Sequence, residues 1–307
     1  MLVTERRFMP GVTNFVTQET IAVISKRLDA VGQLSPVCFQ FAAALADPDF
    51  PLEKAVKIVG TDPVLAATIL RVVNSPAFGL RVKVAELGRA ISLLGYLEVK
   101  NLAMRAYVCR AFRGTLGSLG DALWQHAYVS SVAAFHLAQC TNPSIRATAS
   151  TAALLHDVGR IAIAHLSMQD FQYLEQNMPE EDGAERLAAE ETRLGANHCI
   201  IGSILARKWN LAEELEHVIG YHGLCYLKPP DALPEEHKQL LIITHCADLT
   251  AHWLERALSD NPAAPWTVEW EIPQEYKEAL FPKGTIGPAI PPEVVRQLMR
   301  TRDIATL

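Results

Sequence analysis

TDPVLAATILRVVNSPAFGL, residues 61–80, is a helix with its start and its stop written into it. Asp62 offers a carboxylate to the first free N–H groups, and Pro63 takes the first helical position, where a missing N–H costs nothing. Apolar residues then recur every three or four positions as far as Val73, after which Asn74, Ser75, Pro76 and Gly79 forbid continuation. The same grammar runs outward from this stretch. Ser35-Pro36 repeats the start signal, and period-two alternation bounded by turn residues is almost absent through the first 258 positions. The expected fold class is therefore all-α. The helices fall at 17–31, 36–46, 52–59, 63–74, 84–94, 97–113, 119–140, 145–157, 168–177, 183–193, 197–208, 211–222 and 236–257.

Gly114, Gly117 and Gly120 lie in a short Ser/Thr-containing stretch that reads as a joint between two lobes. The expected organisation is an N-terminal extension at 1–26, a helical lobe at 27–116, a second helical lobe at 117–257 and a Pro-rich extension at 258–307. That last segment should lie over the body, anchored by Trp266 and Trp270, and close with a short helix at about 292–301.

Composition narrows the function classes. Of 307 residues, 50% are apolar and 20% charged, which excludes disordered and low-complexity readings and supports a substantial core. No stretch reaches the roughly 18 apolar residues of a membrane span, and residues 1–30 carry no secretory leader pattern, so no membrane partner is expected. Twenty-eight Lys and Arg against 34 Asp and Glu give a formal charge of −6, without the basic runs of a dedicated nucleic-acid binder. The six cysteines stand singly with no CxxC pair, as reduced thiols in a cytoplasmic protein do.

Six residues of the second lobe carry chemistry by type and order: His126, the adjacent pair His156-Asp157, His198, His222 and Asp248. Imidazole and carboxylate suit Zn, Fe, Mn or Mg, and a bundle can aim side chains from several helices at one interior point. Adjacent residues on a helix diverge by about 100°, so His156 and Asp157 can share an ion only where their helix ends. Gly159 is the expected terminator. Asp248 shares a helix face with His245 and His252, but the intervening Ala247, Leu249 and Ala251 suit the core, so two of the three should face solvent and only Asp248 is taken as a ligand. His136, His165, His217 and His237 read as surface or capping residues. In the first lobe, Arg71, Asn74, Ser75 and Phe78 read as a packing corner, with Phe78 and Leu80 plugging the lobe interface, or as part of a partner groove.

LLHDVGRIAIA (154–164), with LWQHA (123–127) before it and HCADL (245–249) after it, resembles the H…HD…D signature of the HD superfamily of metal-dependent phosphohydrolases. The 61–80 stretch followed by LGRAISLLGYLEVKNLA (87–103) is closely similar to the HD-related output domain, the HDOD family of bacterial signalling proteins. ETRLGANHCIIGSILARKWNL (191–211) and IGYH (219–222) resemble the same family, and the likeness spans about residues 27–250. It implies a bundle with an HDOD-type and an HD-like lobe, and it implies His126, His156, Asp157 and Asp248 as ligands of a divalent metal. By relation to the HD-GYP phosphodiesterases, which cleave cyclic di-GMP, His198 and His222 stand where two further ligands would fall.

Departures from that pattern decide the reading. Tyr221-His222-Gly223 replaces a His-His-Glu, no Gly-Tyr-Pro element follows in GLCYLKPP (223–230), and Arg160 stands where a lysine is usual. Arginine can clamp a phosphate through two N–H groups but cannot release a proton near neutral pH, so Arg160 is a candidate phosphate-binding residue and not an acid. The expected function is a bacterial regulatory output protein that binds signalling proteins or a small ligand, with a residual metal site and with self-association compatible with that role. The alternative is a metal-dependent phosphohydrolase acting on a nucleotide or cyclic dinucleotide.

Overall fold

The structure is a computed structural model, and it describes residues 16–32, 50–112, 117–178, 183–261, 265, 269–281, 295–296 and 298–299. The helix expected at 36–46, Gly114 and Trp266 lie outside these residues. Every regular element among them is helical. The first lobe comprises α1 (Gln18–Arg27), α2 (Leu52–Gly60), α3 (Pro63–Val73), α4 (Leu87–Leu94) and α5 (Tyr96–Ala111). The opening stretch folds as its grammar dictates: Asp62 Oδ1 accepts from the N–H groups of Val64 and Leu65, at 3.0 and 3.1 Å. Helix α3 ends at Asn74, whose side-chain amide pairs with the backbone of Val84 in both directions, at 2.8 and 2.7 Å. That clasp keeps residues 84–86 out of α4, which starts at Leu87 and not at 84.

The second lobe is built on α6 (Gly117–Thr141) and α13 (Lys238–Asp260), packed against α7 (Arg146–Leu155). Around them stand α8 (Val158–Leu166), α9 (Met168–Asn177), α10 (Gly183–Leu194), α11 (His198–Lys208) and α12 (Glu213–Tyr221). A 3₁₀ turn, His222–Tyr226, follows α12 directly. Apolar side chains of both lobes form one continuous core that also takes in Trp270, Tyr276 and Leu280 of the C-terminal extension.

Three expectations are corrected here. Gly159 does not end a helix: α7 stops at Leu155, and Gly159 sits inside α8, which resumes at Val158. Its role is close approach. A Cβ at Gly159 would lie 1.8 Å from the His198 carbonyl oxygen, and one at Gly202 would lie 3.3 Å from the Gly159 nitrogen, so α8 and α11 cross with nothing between their backbones. The Pro-rich extension carries a helix that the proline spacing concealed, α14 (Gln274–Leu280). Trp270 is buried and its indole N–H donates to Thr250 Oγ1 at 3.1 Å, the anchor expected of it. Leu80 does not plug the lobe interface; it is exposed, while Phe78 packs part-buried against the core.

The lobes meet instead through α5 against α6 and α7, where a polar cluster is sealed inside. Lys100 is fully buried and its ammonium donates to Ser150 Oγ at 2.8 Å, with Ser131 and Asn101 beside it. Burial pulls the Lys100 amine down to about 7, against an opposing pull from Glu98.

Candidate metal centre

The break between α7 and α8 is the local event that makes the site. His156 and Asp157 occupy the two-residue step between the helices, so their side chains need not diverge as they would on one helix. Around them, α6 contributes His126, α11 its first residue His198, the end of α12 His222, and α13 both Asp248 and His252. The sequence placed six of these groups, and the structure brings all six together.

Two carboxylate oxygens organise the centre. Asp157 Oδ1 lies 3.4 Å from His198 Nε2, 3.4 Å from His222 Nε2 and 3.7 Å from His156 Nε2. Asp248 Oδ1 lies 2.9 Å from His126 Nε2, 3.4 Å from His252 Nε2 and 3.7 Å from the same His156 Nε2. Each carboxylate thus faces three imidazoles, and His156 belongs to both sets. The outer oxygens are engaged elsewhere: Asp157 Oδ2 accepts from Arg160 Nη1 at 2.9 Å, and Asp248 Oδ2 from the Tyr226 hydroxyl.

Hydrogen bonds on the far side of the rings fix their tautomers. His156 Nδ1 donates to the Ala153 carbonyl at 2.7 Å, His222 Nδ1 to that of Ile219 at 3.0 Å, and His198 Nδ1 to Glu190 Oε2 at 2.6 Å. In their neutral forms all three point an Nε2 lone pair inward. His198 Nε2 and His222 Nε2 face each other at 3.1 Å beside Asp157, and with no ion bound the raised His222 ring shares its proton there. Such a set is satisfied by a cation. A tetrahedral ion with bonds of about 2.1 Å holds its ligand atoms about 3.4 Å apart. The triangle of His198, His222 and Asp157, with sides of 3.1, 3.4 and 3.4 Å, has those dimensions. Nitrogen-rich donors with a carboxylate fit Zn, Fe or Mn better than Mg. Cys199 lies 3.7 Å from His222 Nε2, and His198, Cys199 and His222 could also hold an ion, as could His126 with His156 and Asp157, or His126 with Asp248 and His252.

The electrostatics agree with a site built for positive charge. Burial pushes the Asp157 carboxyl up, but His156 and Arg160 outweigh it and hold it well below the usual carboxylate range. Asp248 is held low in the same way, by His126, His156 and His252 against burial. Burial pulls His222 down, yet Cys199 and Asp157 raise it to about 9. His245 does not join the centre. Burial takes it down to about 4, so its ring is neutral, and it packs between Tyr226 and Tyr276 at 4.9 and 4.6 Å.

Several placements were not legible. His252 faces Asp248 and His245 is buried, so neither turns to solvent as expected. Glu190, which orients His198 through both its ring and its backbone N–H, stands next to the Glu191 of the quoted motif. Arg160 is buried and holds Asp157 on one side and Glu175 on the other, at 2.9 and 3.0 Å, so it meets carboxylates where a phosphate was anticipated. Glu175 also takes Arg186, which in turn reaches Glu190 at 3.1 Å, closing a ring of charges behind both His198 and Asp157. Arg71 stands exposed at the end of α3, and the Ser75 hydroxyl is buried with no hydrogen-bond partner among the described residues.

Residues 31–224 match the HDOD domain. The chain belongs to the HDOD family. An uncharacterized protein of Treponema pallidum (strain Nichols) is 26% identical to it over 259 residues, 81% of this chain and 48% of that protein. The chain thus spans about half the length of the curated relative it matches. An HDOD-domain protein of Geobacter sulfurreducens, of unknown function, superposes with a TM-score of 0.64 at 20% identity, covering 94% of this chain and 97% of that one. A protein of Marinobacter aquaeolei VT8, provisionally described as a signal transduction protein, gives a TM-score of 0.66 at 19% identity, covering 96% of this chain and 66% of that one. At these identities the two structures establish the HD-like helical fold and nothing finer. No helix among the described residues is long and apolar enough to cross a membrane.

Proposed function

We propose that this HDOD protein is a signal-transduction output module that acts by binding, with a divalent ion in its HD-like lobe serving to hold helices and not to turn over a phosphate ester. The observation that carries this reading is enclosure. His126, His156, His198, His222 and Asp248 are all buried, and the small cavity at Asp157, about 10 Å³, is walled otherwise by apolar side chains, among them Leu123, Trp124, Leu155 and Val158. It admits roughly one water molecule. With both outer carboxylate oxygens occupied and Arg160 locked between Asp157 and Glu175, an ion here ties α6, α8, α11 and α13 together. The provisional description of the Marinobacter aquaeolei relative points the same way. Signalling proteins are the partners such a module would serve.

The second reading is a phosphohydrolase for a nucleotide or cyclic dinucleotide, favoured by the two side-by-side groups of imidazoles, one around each carboxylate oxygen, since a two-metal site needs two adjacent ligand groups. One experiment separates them. Purified protein loaded with Mn, Fe or Zn is assayed for bound metal and for hydrolysis of cyclic di-GMP and bis(p-nitrophenyl) phosphate, beside the double variant His156→Ala, Asp157→Ala. The expected result is tightly bound metal, lost in the double variant, with no turnover by either protein. Turnover by the parent that the double variant abolishes overturns the binding-only reading.

A further inference from the structure

The loop that joins α3 to α4 turns aliphatic side chains outward. Leu80 and Val82 are exposed, Val82 to 79%, while Val84, clasped by Asn74, is buried. Single aliphatic residues scattered over a surface need no explanation, but two within three positions of one loop make the centre of a patch. No hydrogen bond or ion pair holds residues 80–83 among the described residues, so their backbone groups are open as well.

The charges around this patch are all of one sign. Arg81 and Lys83 alternate with the two aliphatic residues, and the Asn74–Val84 clasp pins the end of α3 and the start of α4 to the same corner. Arg71 in the last turn of α3 and Arg89 in the first turn of α4 stand exposed there. None of these four cations is in an ion pair among the described residues. Glu86 is the only acid from residue 63 to residue 97. Over residues 50–112, nine Lys and Arg stand against four Asp and Glu, in a chain whose formal charge is −6. Positive charge is therefore segregated to this lobe.

A guanidinium group takes a carboxylate through two N–H groups, and unpaired arginines around aliphatic side chains complement an acidic segment that carries apolar residues of its own. Other polyanions use features that this corner lacks. Among the described residues, no aromatic ring of the lobe is exposed for bases to stack on, and residues 79–86 form no helix, whereas a membrane-surface anchor is an amphipathic one. We propose that this corner is the docking site for an acidic partner protein, which lays carboxylates on Arg71, Arg81, Lys83 and Arg89 and apolar side chains on Leu80 and Val82. The proposal rests on the binding-module reading above and gives it a place and a chemistry.

Fluorescence anisotropy of a labelled peptide of alternating Leu and Glu, titrated with the full chain, tests it. A Gly-Glu peptide of the same charge, a DNA duplex and vesicles of phosphatidylserine in phosphatidylcholine stand beside it. Micromolar binding of the Leu-Glu peptide is expected, weakening with salt and weaker for the Gly-Glu peptide. Arg81→Glu with Lys83→Glu should reduce it about tenfold, the scale of two partly screened ion pairs. Both side chains are exposed, so the double variant keeps the fold, which its circular dichroism and Tm verify. Val82→Ser should weaken binding roughly threefold. Lys26→Glu, an exposed reversal on α1, should leave it unchanged. The proposal is overturned by absence of binding at millimolar concentration, by equal affinity for the Gly-Glu peptide or in the double variant, or by an equal loss in Lys26→Glu. Tighter binding of the duplex or the vesicles than of the peptide overturns it too. The metal and hydrolysis assays read the second lobe and this titration the first, so failure here leaves the binding-module reading in place, and turnover there leaves the docking site standing.

Discussion

A methyl group added to Gly159 would stand 1.8 Å from the His198 carbonyl oxygen and 2.9 Å from the Gly202 nitrogen, both of them backbone atoms that cannot swing aside. Gly159→Ala should therefore push α11 off α8 and cost about 3 kcal/mol, with His198 displaced from Asp157. Urea denaturation together with metal content checks this, and a loss below about 1 kcal/mol would show that the crossing yields. Lys100 gives a pH prediction. Its amine titrates at about 7 in the folded protein against 10.5 for the ordinary side chain, so the unfolded chain binds more protons between those values. Stability contributed at this position is lowest below pH 7 and rises towards pH 10.5, by at most about 1.4 kcal/mol per pH unit. His222, raised to about 9, and the Cys225 thiol, raised by burial to about 12, work in the opposite direction above their ordinary values of 6.5 and 9.0, so the Lys100 contribution is read as the difference between Lys100→Met and the parent from pH 7 to 9. Lys100→Met should match or exceed the parent in stability at pH 7, and its advantage should shrink by pH 9. An advantage that is constant or growing across that window refutes the assignment. Gly159 was legible only as a helix terminator, and Lys100 was not legible at all. A glycine inside a helix and a lysine on an amphipathic pattern have bland readings, and only the neighbours supplied by distant elements make them specific.

Elements whose ends are set by their own side chains were the legible ones. Asp62 and Pro63 start α3 and Asn197 caps α11, accepting from Ile200 N–H at 3.1 Å, and both starts fall where the sequence puts them. Elements whose ends are set by remote contacts were not. The expected helix start at 84 failed because Asn74, ten residues earlier, binds Val84 through two hydrogen bonds. The single helix expected at 145–157 ends instead at Leu155, because a packed α8–α11 crossing re-aims the chain just beyond it. The corner at the end of α3 yields its own prediction. Asn74→Ala removes both bonds to Val84 and should cost about 2 kcal/mol, with faster amide exchange at Val84 and along residues 75–83. Unchanged exchange at Val84 would mean that the loop is held by something other than this clasp. At α13 the periodicity correctly gave one face to His245, Asp248 and His252. It went wrong on which way that face turns, since a helix with Trp253 and Leu254 also buried has little solvent side near its middle.

At the scale of the whole molecule, the single core predicts single behaviour. Trp209 donates to the Gly32 carbonyl at 2.9 Å, Arg27 reaches the Leu166 carbonyl and Lys208 pairs with Asp29, so the two lobes are stitched at several points. Calorimetry should give one transition whose van't Hoff and calorimetric enthalpies agree, and two resolved transitions would show lobes that melt independently. What the sequence determined by itself was the helical class, most helix starts, the family and six groups of the candidate metal centre. These are properties of periodicity, of capping chemistry and of residue type, each written within a few positions of the chain. What only the tertiary structure decided was which oxygen meets which imidazole, that His252 and Glu190 serve the centre, that Arg160 is taken by carboxylates, and that the extension walls a cavity over Tyr226. Those outcomes depend on how close α8, α11 and α13 come to one another. That distance is set by buried volumes summed over elements far apart in the chain, which no local pattern records.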